Sequence, residues 1–184
     1  NYESLFSTID GTFPNHHPDP SDPQNLIFCK KKLLDLKYNV GFAFDGDGDR
    51  LGVIDDKGRI ISGDKLLLLL AKEMLKSKKC KVIADVKCSQ VLFDEVERLG
   101  GKIFMSKTGH SHIKNNLKKL NADLAGEMSG HIFFAEDYYG FDDAFFAAIK
   151  VLQILNNNDK KLSDLVDEIP RVFNTPEIRI DCDD

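Results

Sequence analysis

The sequence predicts an α/β protein built on mixed, largely parallel sheets flanked by helices, and three observations predict it. From Gly63 onward, helical and extended apolar patterns alternate steadily, as they do where strands are joined through covering helices. Before that point two short apolar runs, Val40 to Phe44 and Leu51 to Ile54, bracket a glycine-rich acidic turn, as strands bracket a loop. The 184 residues also suffice for one large or two small domains with a substantial core.

Taken in order, Leu5 to Ile9 reads as a strand and Asp10-Gly11 as a turn. The prolines of Pro14-Asn15-His16-His17-Pro18-Asp19-Pro20 make that run a rigid loop, because each fixes its own φ and restricts the residue before it. Asp22 is placed to cap a helix with Pro23 in its first turn, and Leu26, Ile27, Leu33 and Leu34 line one side of it. Strands follow at 40–44 and 51–54, with Asp55-Asp56-Lys57-Gly58 as a hairpin turn. Beyond it, helices are expected at 64–76, 89–99, 111–119 and 142–155, and strands at 81–86, 102–105, 123–126 and 131–134. Boundaries are expected near residues 58–63 and near Arg171, where Asn174-Thr175-Pro176 resembles a linker, giving segments 1–60, 61–171 and 172–184.

Composition narrows the function. A net charge of -5 argues against a nucleic-acid partner, since phosphate backbones are held by clustered Lys and Arg. The lysines at 30–32 and between 76 and 81 adjoin expected helices and read as solvated faces. The densest apolar run, Leu66 to Ala71, is far shorter than the roughly 20 residues needed to cross a membrane. No secretory signal pattern opens the chain. Cys29, Cys80, Cys88 and Cys182 lack CxxC spacing and fit reduced thiols in a cytoplasmic protein.

The acidic turn is Asp45-Gly46-Asp47-Gly48-Asp49-Arg50. In an extended segment residues two apart share a side, so the three carboxylates can converge. Like charges that close repel, and a hard ion such as Mg²⁺, which takes oxygen ligands, removes the repulsion. Arg50 adds a planar, phosphate-seeking fork. An EF-hand does not fit, because Arg50 stands sixth from Asp45 where that loop needs glycine, although Asp56 falls twelfth. A strand followed by Asp-x-Asp also resembles the dehalogenase-type phosphotransferases, in which Asp45 would be the nucleophile and Asp47 the acid/base.

In an α/β domain ligands gather at the carboxyl ends of strands. Three loops occupy such positions: Asp85-Val86-Lys87-Cys88, Lys107-Thr108-Gly109-His110-Ser111 and Gly126-Glu127-Met128-Ser129-Gly130-His131. Glu127, Ser129 and His131 offer a carboxylate, a hydroxyl and an imidazole at every second position, a good set for sugar hydroxyls, which both donate and accept. Each of these residues alone is common in ordinary surface loops. Together with the acidic turn, the proline loop and Tyr139-Gly140-Phe141-Asp142-Asp143, however, they form six motifs in order. In this order and spacing the chain resembles the α-D-phosphohexomutase superfamily, and within it the bacterial phosphomannomutase/phosphoglucomutase group, over essentially its whole length.

That resemblance implies repeated α/β domains and interconversion of hexose 1-phosphate and 6-phosphate through a phosphoserine and a hexose 1,6-bisphosphate. It implies Mg²⁺ held by Asp45, Asp47 and Asp49, with Arg50 near sugar or phosphate. Glu127 and Ser129 would bind hydroxyls common to glucose and mannose. Lys87, His110 and His131 would contact the sugar phosphate, and His131 would serve as general acid or base. The family's serine loop and its fourth-domain phosphate loop are absent from the sequence. The chain is therefore expected to be a middle piece: the latter part of domain 2, all of domain 3 and a lead into domain 4, inactive without domains 1 and 4. A phosphoglucosamine mutase, whose sugar loop commonly has Gln where Met128 stands, and a non-catalytic sugar-phosphate-binding module are the remaining alternatives.

Overall fold

The computed structural model describes residues 2–136 and 138–172, arranged as two sheets. β1 (Val40–Phe44), β2 (Leu51–Asp55) and β3 (Ile60–Ile61) form an antiparallel sheet in the order β1-β2-β3. β4 (Lys81–Asp85), β5 (Lys102–Ser106), β6 (Leu124–Gly126) and β7 (Ile132–Phe134) form the second, in the order β5-β4-β6-β7. There β4 runs parallel to β5 and β6, and β7 runs antiparallel to β6. The helices are α1 (Ile27–Asp35), α2 (Gly63–Leu75), α3 (Gln90–Arg98), α4 (His110–Leu120), α5 (Ala144–Asn156) and α6 (Leu162–Asp167).

Local chemistry accounts for most element boundaries. Asp22 accepts a hydrogen bond from the Gln24 N–H and, with Pro23, opens a 3₁₀ turn that runs into α1. Asp143 caps α5 by accepting from the Phe146 N–H at 2.8 Å. Gly58, at φ 75°, closes the β2–β3 hairpin. Arg59 then binds Asp55 on its own hairpin at 2.7 Å and Asp167 of α6 at 2.5 Å.

Three expectations need correction. Leu5 to Ile9 makes no strand; the segment bends, finds no ladder partner and leaves Ile9 fully exposed. A β-prone composition does not make a strand without an edge to pair with. On α1 only Leu33, with Leu26 just before it, is buried, packing against Ile54, while Ile27 and Leu34 face outward. Of the two strands flanking the acidic turn, both expected from their apolar sequences to be buried, β2 is buried throughout, whereas in β1 only Gly41 is buried. The expected linker at 174–176 and Cys182 lie outside the described residues. Two elements escaped the sequence pattern, β3 and α6, because two and six residues are too few to display a period.

The two sheets share one core. Leu51, Val53 and Ile61 from the first join Leu66 to Ala71 of α2, Val82 of β4, Leu124 of β6 and Val151 of α5. This is why the α2 sequence is apolar nearly all round: β6, α3 and α5 surround it. The seam is also stitched by backbone, with the Leu51 N–H donating to Gly130 O at 3.0 Å and Arg50 bridging His131. The start of α2 presses on the same loop, so a Cβ on Gly63 would stand 2.5 Å from Glu127 O and 2.6 Å from Met128 O.

Gly63→Ala should therefore destabilise the protein by about 1–3 kcal/mol, as overpacking against fixed backbone does. For a chain of this size that lowers Tm by roughly 2–4 °C per kcal/mol in a calorimetric scan. Gly11→Ala, where a Cβ meets nothing within 4 Å, should stay within about 0.5 kcal/mol of the parent. Equal melting of the two variants would contradict the packing described.

Candidate active site

The acidic turn leaves β1 and returns as β2. Its three aspartates come together, although not through extended alternation. Residues 46–48 bend, and Gly48 takes φ 75°, a conformation that favours glycine. Asp45 organises the turn: its Oδ1 accepts the N–H groups of Asp49 at 2.9 Å and Arg50 at 3.1 Å, and its Oδ2 accepts Arg50 Nε at 2.7 Å. One carboxylate oxygen from each of Asp45, Asp47 and Asp49 lies within 4.8 Å of the others. Asp45 is buried, Asp49 half-buried and Asp47 exposed, so the set opens to solvent on one side.

The charges there are not balanced. Burial opposes ionisation of Asp45, but its bonds from Arg50 and Asp49 outweigh it and hold the carboxyl at about 2. Asp49 is pushed up to about 6, by burial and then by the neighbouring Asp45 and Asp47. Arg50 divides its guanidinium between Asp45 and Asp19, which it meets at 3.1 Å. A hard cation suits the residual negative charge, and an all-oxygen donor set open on one side fits Mg²⁺.

The second sheet supplies the rest from the carboxyl ends of its parallel strands. Lys87 lies exposed on the loop after β4, and His110 begins α4 after Gly109, which takes φ 118°. Glu127 follows β6 and is only 2% exposed; its Oε1 accepts the Gly109 N–H at 2.6 Å. Its Oε2 lies 3.1 Å from His131 Nδ1, and Ser129 Oγ lies 2.9 Å from the same nitrogen. The other ring nitrogen, Nε2, lies 3.3 Å from Asp49 Oδ1. His131 thus joins the acidic turn of one sheet to the Glu127 loop of the other. Burial opposes its charged form, but Glu127 and Asp49 outweigh that and raise its pKa above the ordinary imidazole value. Burial likewise opposes a charged Glu127, whose bonds from His131 and Gly109 lower its pKa overall. The His110 ring lies nearly parallel to that of His131 at 6.4 Å.

Two aspartates at this site are not singled out by the sequence. Asp85, 1% exposed, accepts from the Cys88 thiol at 3.0 Å, the Thr108 hydroxyl at 3.2 Å and the Met128 N–H at 3.3 Å, tying all three loops together. The signal was available, because Asp85 ends an apolar strand just as Asp45 does. Asp142 sits between Lys114 Nζ, at 2.6 Å from its Oδ1, and the His131–Asp49 pair. In sequence it is hidden beside Asp143, whose capping role explains the acidic pair by itself. The acidic turn also docks on α5, since Gly48 O accepts the Ala144 N–H at 3.0 Å and the rings of Phe44 and Phe145 stack at 4.3 Å. Among the described residues no helix is long and apolar enough to cross a membrane.

The chain resembles known proteins in sequence and in fold. Residues 62–173 match the family described as phosphoglucomutase/phosphomannomutase, alpha/beta/alpha domain III, and residues 2–58 match its alpha/beta/alpha domain II. A phosphomannomutase/phosphoglucomutase of Pseudomonas putida is 45% identical over 98% of this chain and 39% of its own length. A phosphoglucomutase of Neisseria gonorrhoeae is 46% identical over 96% of this chain and 38% of its own. A crystal structure of a phosphoglucomutase/phosphomannomutase family protein from Burkholderia thailandensis superposes with a TM-score of 0.88 at 47% identity, covering 94% of this chain and 38% of that one. The chain thus spans well under half the length of these relatives, and it belongs to the phosphoglucomutase/phosphomannomutase family.

Proposed function

We propose that the protein works as a Mg²⁺-dependent phosphohexomutase, interconverting hexose 1-phosphate and 6-phosphate of glucose or mannose through a phosphoserine and a hexose 1,6-bisphosphate. The observation that carries this reading is the meeting of the three-aspartate turn with His131, at 3.3 Å, across the seam between the two sheets. We read residues 1–60 as the latter part of domain 2, 61–171 as domain 3 and 172–184 as a lead into domain 4. Domains 1 and 4 of a longer parent would bring the phosphoserine and the phosphate loop. Free, partly or fully buried thiols at Cys29, Cys80 and Cys88 fit a cytoplasmic setting. The phosphosugar is the partner, with neither nucleic acid nor membrane.

Asp45, Asp47 and Asp49 would hold the Mg²⁺. Bound there, the ion would stabilise charge on the transferring phosphoryl group, the electrostatic contribution that dominates such reactions. Arg50 braces the turn, with Nε on Asp45 and Nη1 on Asp19, and its guanidinium would add positive charge beside the phosphate. Ser129 would meet sugar hydroxyls, and Glu127, buried and engaged by Gly109 and His131, would reach them only on exchanging one of those partners, while Lys87 and His110 bind the sugar phosphate. His131, oriented through Nδ1 by Glu127, takes the proton from the attacking sugar hydroxyl at Nε2 and returns it to the departing oxygen in the reverse transfer. The dehalogenase-type reading is disfavoured, because the Asp45 side chain is 1% exposed and its oxygens are engaged by Arg50 and Asp49. A nucleophile needs a free oxygen.

Asp47→Asn in the full-length parent should lower kcat by about 10²–10³-fold, as loss of a preorganised electrostatic group does, and raise the Mg²⁺ concentration needed for activity. Unchanged Mg²⁺ dependence would remove the turn from the mechanism. The 184-residue chain assayed alone with glucose 1,6-bisphosphate should show no turnover; steady turnover would refute the need for further domains. Beryllofluoride should leave Asp45 unmodified, and an aspartyl adduct there would restore the rival mechanism.

A further inference from the structure

A second donor set stands beside the acidic turn. A carboxylate oxygen of Asp49, a ring nitrogen of His131 and a carboxylate oxygen of Asp142 lie within 4.8 Å of one another. Mixed nitrogen and oxygen donors suit zinc-like ions, whereas magnesium prefers oxygen alone.

Three further observations support an ion there. Asp49 Oδ1 and His131 Nε2 are 3.3 Å apart. Two ligands bonded at about 2.0–2.1 Å with tetrahedral geometry stand roughly 3.3–3.4 Å apart, so this pair is already spaced as one edge of a zinc site. The remaining ring nitrogen, His131 Nδ1, faces Glu127 Oε2 at 3.1 Å. A ring that donates its Nδ1 proton to a carboxylate keeps its lone pair on Nε2, the arrangement that orients metal-bound histidines. Finally, the Asp142 side chain is 6% exposed, and its Oδ2 has no hydrogen-bond partner among the described residues. An unsatisfied buried carboxylate oxygen is costly, and a cation removes the cost.

We propose that Asp49, His131 and Asp142 form a zinc-type cation site, backed by Glu127, that shares Asp49 with the three-aspartate set. The fourth tetrahedral position is left for water or a substrate oxygen. Lys114 occupies Asp142 Oδ1 and weakens the attraction. Among the described ion pairs and donor sets there, Asp45, Asp47, Asp49, Glu127 and Asp142 outnumber Arg50 and Lys114. Resting on the mutase reading, one consequence is regulatory: an ion on Nε2 takes the lone pair that proton transfer needs, so zinc should inhibit even with Mg²⁺ saturating.

Cobalt(II) reports the geometry, because tetrahedral Co²⁺ absorbs visibly far more strongly than octahedral Co²⁺. With Mg²⁺ in excess, Co²⁺ added to the chain should give the strong band. His131→Gln and Asp142→Asn should lose it, Asp47→Asn should keep it, and Glu127→Gln should weaken Co²⁺ affinity about 10- to 100-fold. A band that survives His131→Gln, or no strong band at all, overturns the site. Should the variants fail to fold by circular dichroism, nitrogen NMR of the unaltered protein decides instead. There, with Mg²⁺ already saturating, added Zn²⁺ must shift the His131 Nε2 signal further, and a signal that zinc leaves unmoved overturns the proposal. Binding without inhibition of the full-length parent would leave the site standing and count against His131 as the proton carrier.

Discussion

Negative charge gathered around Asp49 is the constraint on which the rest of the structure depends. Asp45, Asp47 and Asp49 arrive on one turn, and Glu127 and Asp142 arrive from the other sheet. Left alone such a group would push itself apart. It is held by positive groups placed between the carboxylates: Arg50 against Asp45 and Asp19, Lys114 against Asp142, and His131 between Glu127 and Asp49. Each bridge is local, and none satisfies the whole group. The turn keeps one open side, where Asp47 faces solvent.

Holding that group in place requires a rigid frame, and the shared core provides it. The apolar side chains of α2 pack in the cluster that also takes in residues of both sheets, with Leu67 lying against Gly126 of β6 and Leu67 and Leu68 almost fully buried. At such positions truncation typically costs several kcal/mol, about 2–5 for Leu→Ala. Gly130 lies against the Leu51 carbonyl, at 2.7 Å from where its Cβ would stand, and takes φ 100°. A side chain there would force the Glu127 loop away from the acidic turn, and the 3.3 Å approach of His131 to Asp49 would go with it.

The legible part of this architecture was the part written in periods and in short polar motifs. The alternation after Gly63 gave β4 through β7 and α2 through α5 to within a few residues. The same reading failed at Leu5 to Ile9, because strand composition says nothing about whether a pairing edge exists. At the site, the turn and the Glu127 loop were visible as residues at alternate positions. What joins them was not. The alternation argument placed the three aspartates correctly for the wrong reason, since Asp45 capping its own turn brings them together. Asp85 and Asp142 work through partners 23 to 43 positions away, or on another element altogether. No local pattern encodes such contacts.

His131 also shows why one residue can serve two proposals that exclude each other at any instant. Its Nδ1 is committed to Glu127 and Ser129, which fixes the ring and leaves Nε2 as the single working atom. A proton on Nε2 pairs with Asp49 across 3.3 Å. A metal ion on Nε2 would use the same oxygen at the same spacing. The carboxylates that raise the proton affinity of this imidazole are therefore the groups that would draw a cation to it. An ion that prefers oxygen donors, such as Mg²⁺, would escape the conflict by staying with the three aspartates, and such a division of donors by hardness would let one crowded turn keep a metal and a base side by side.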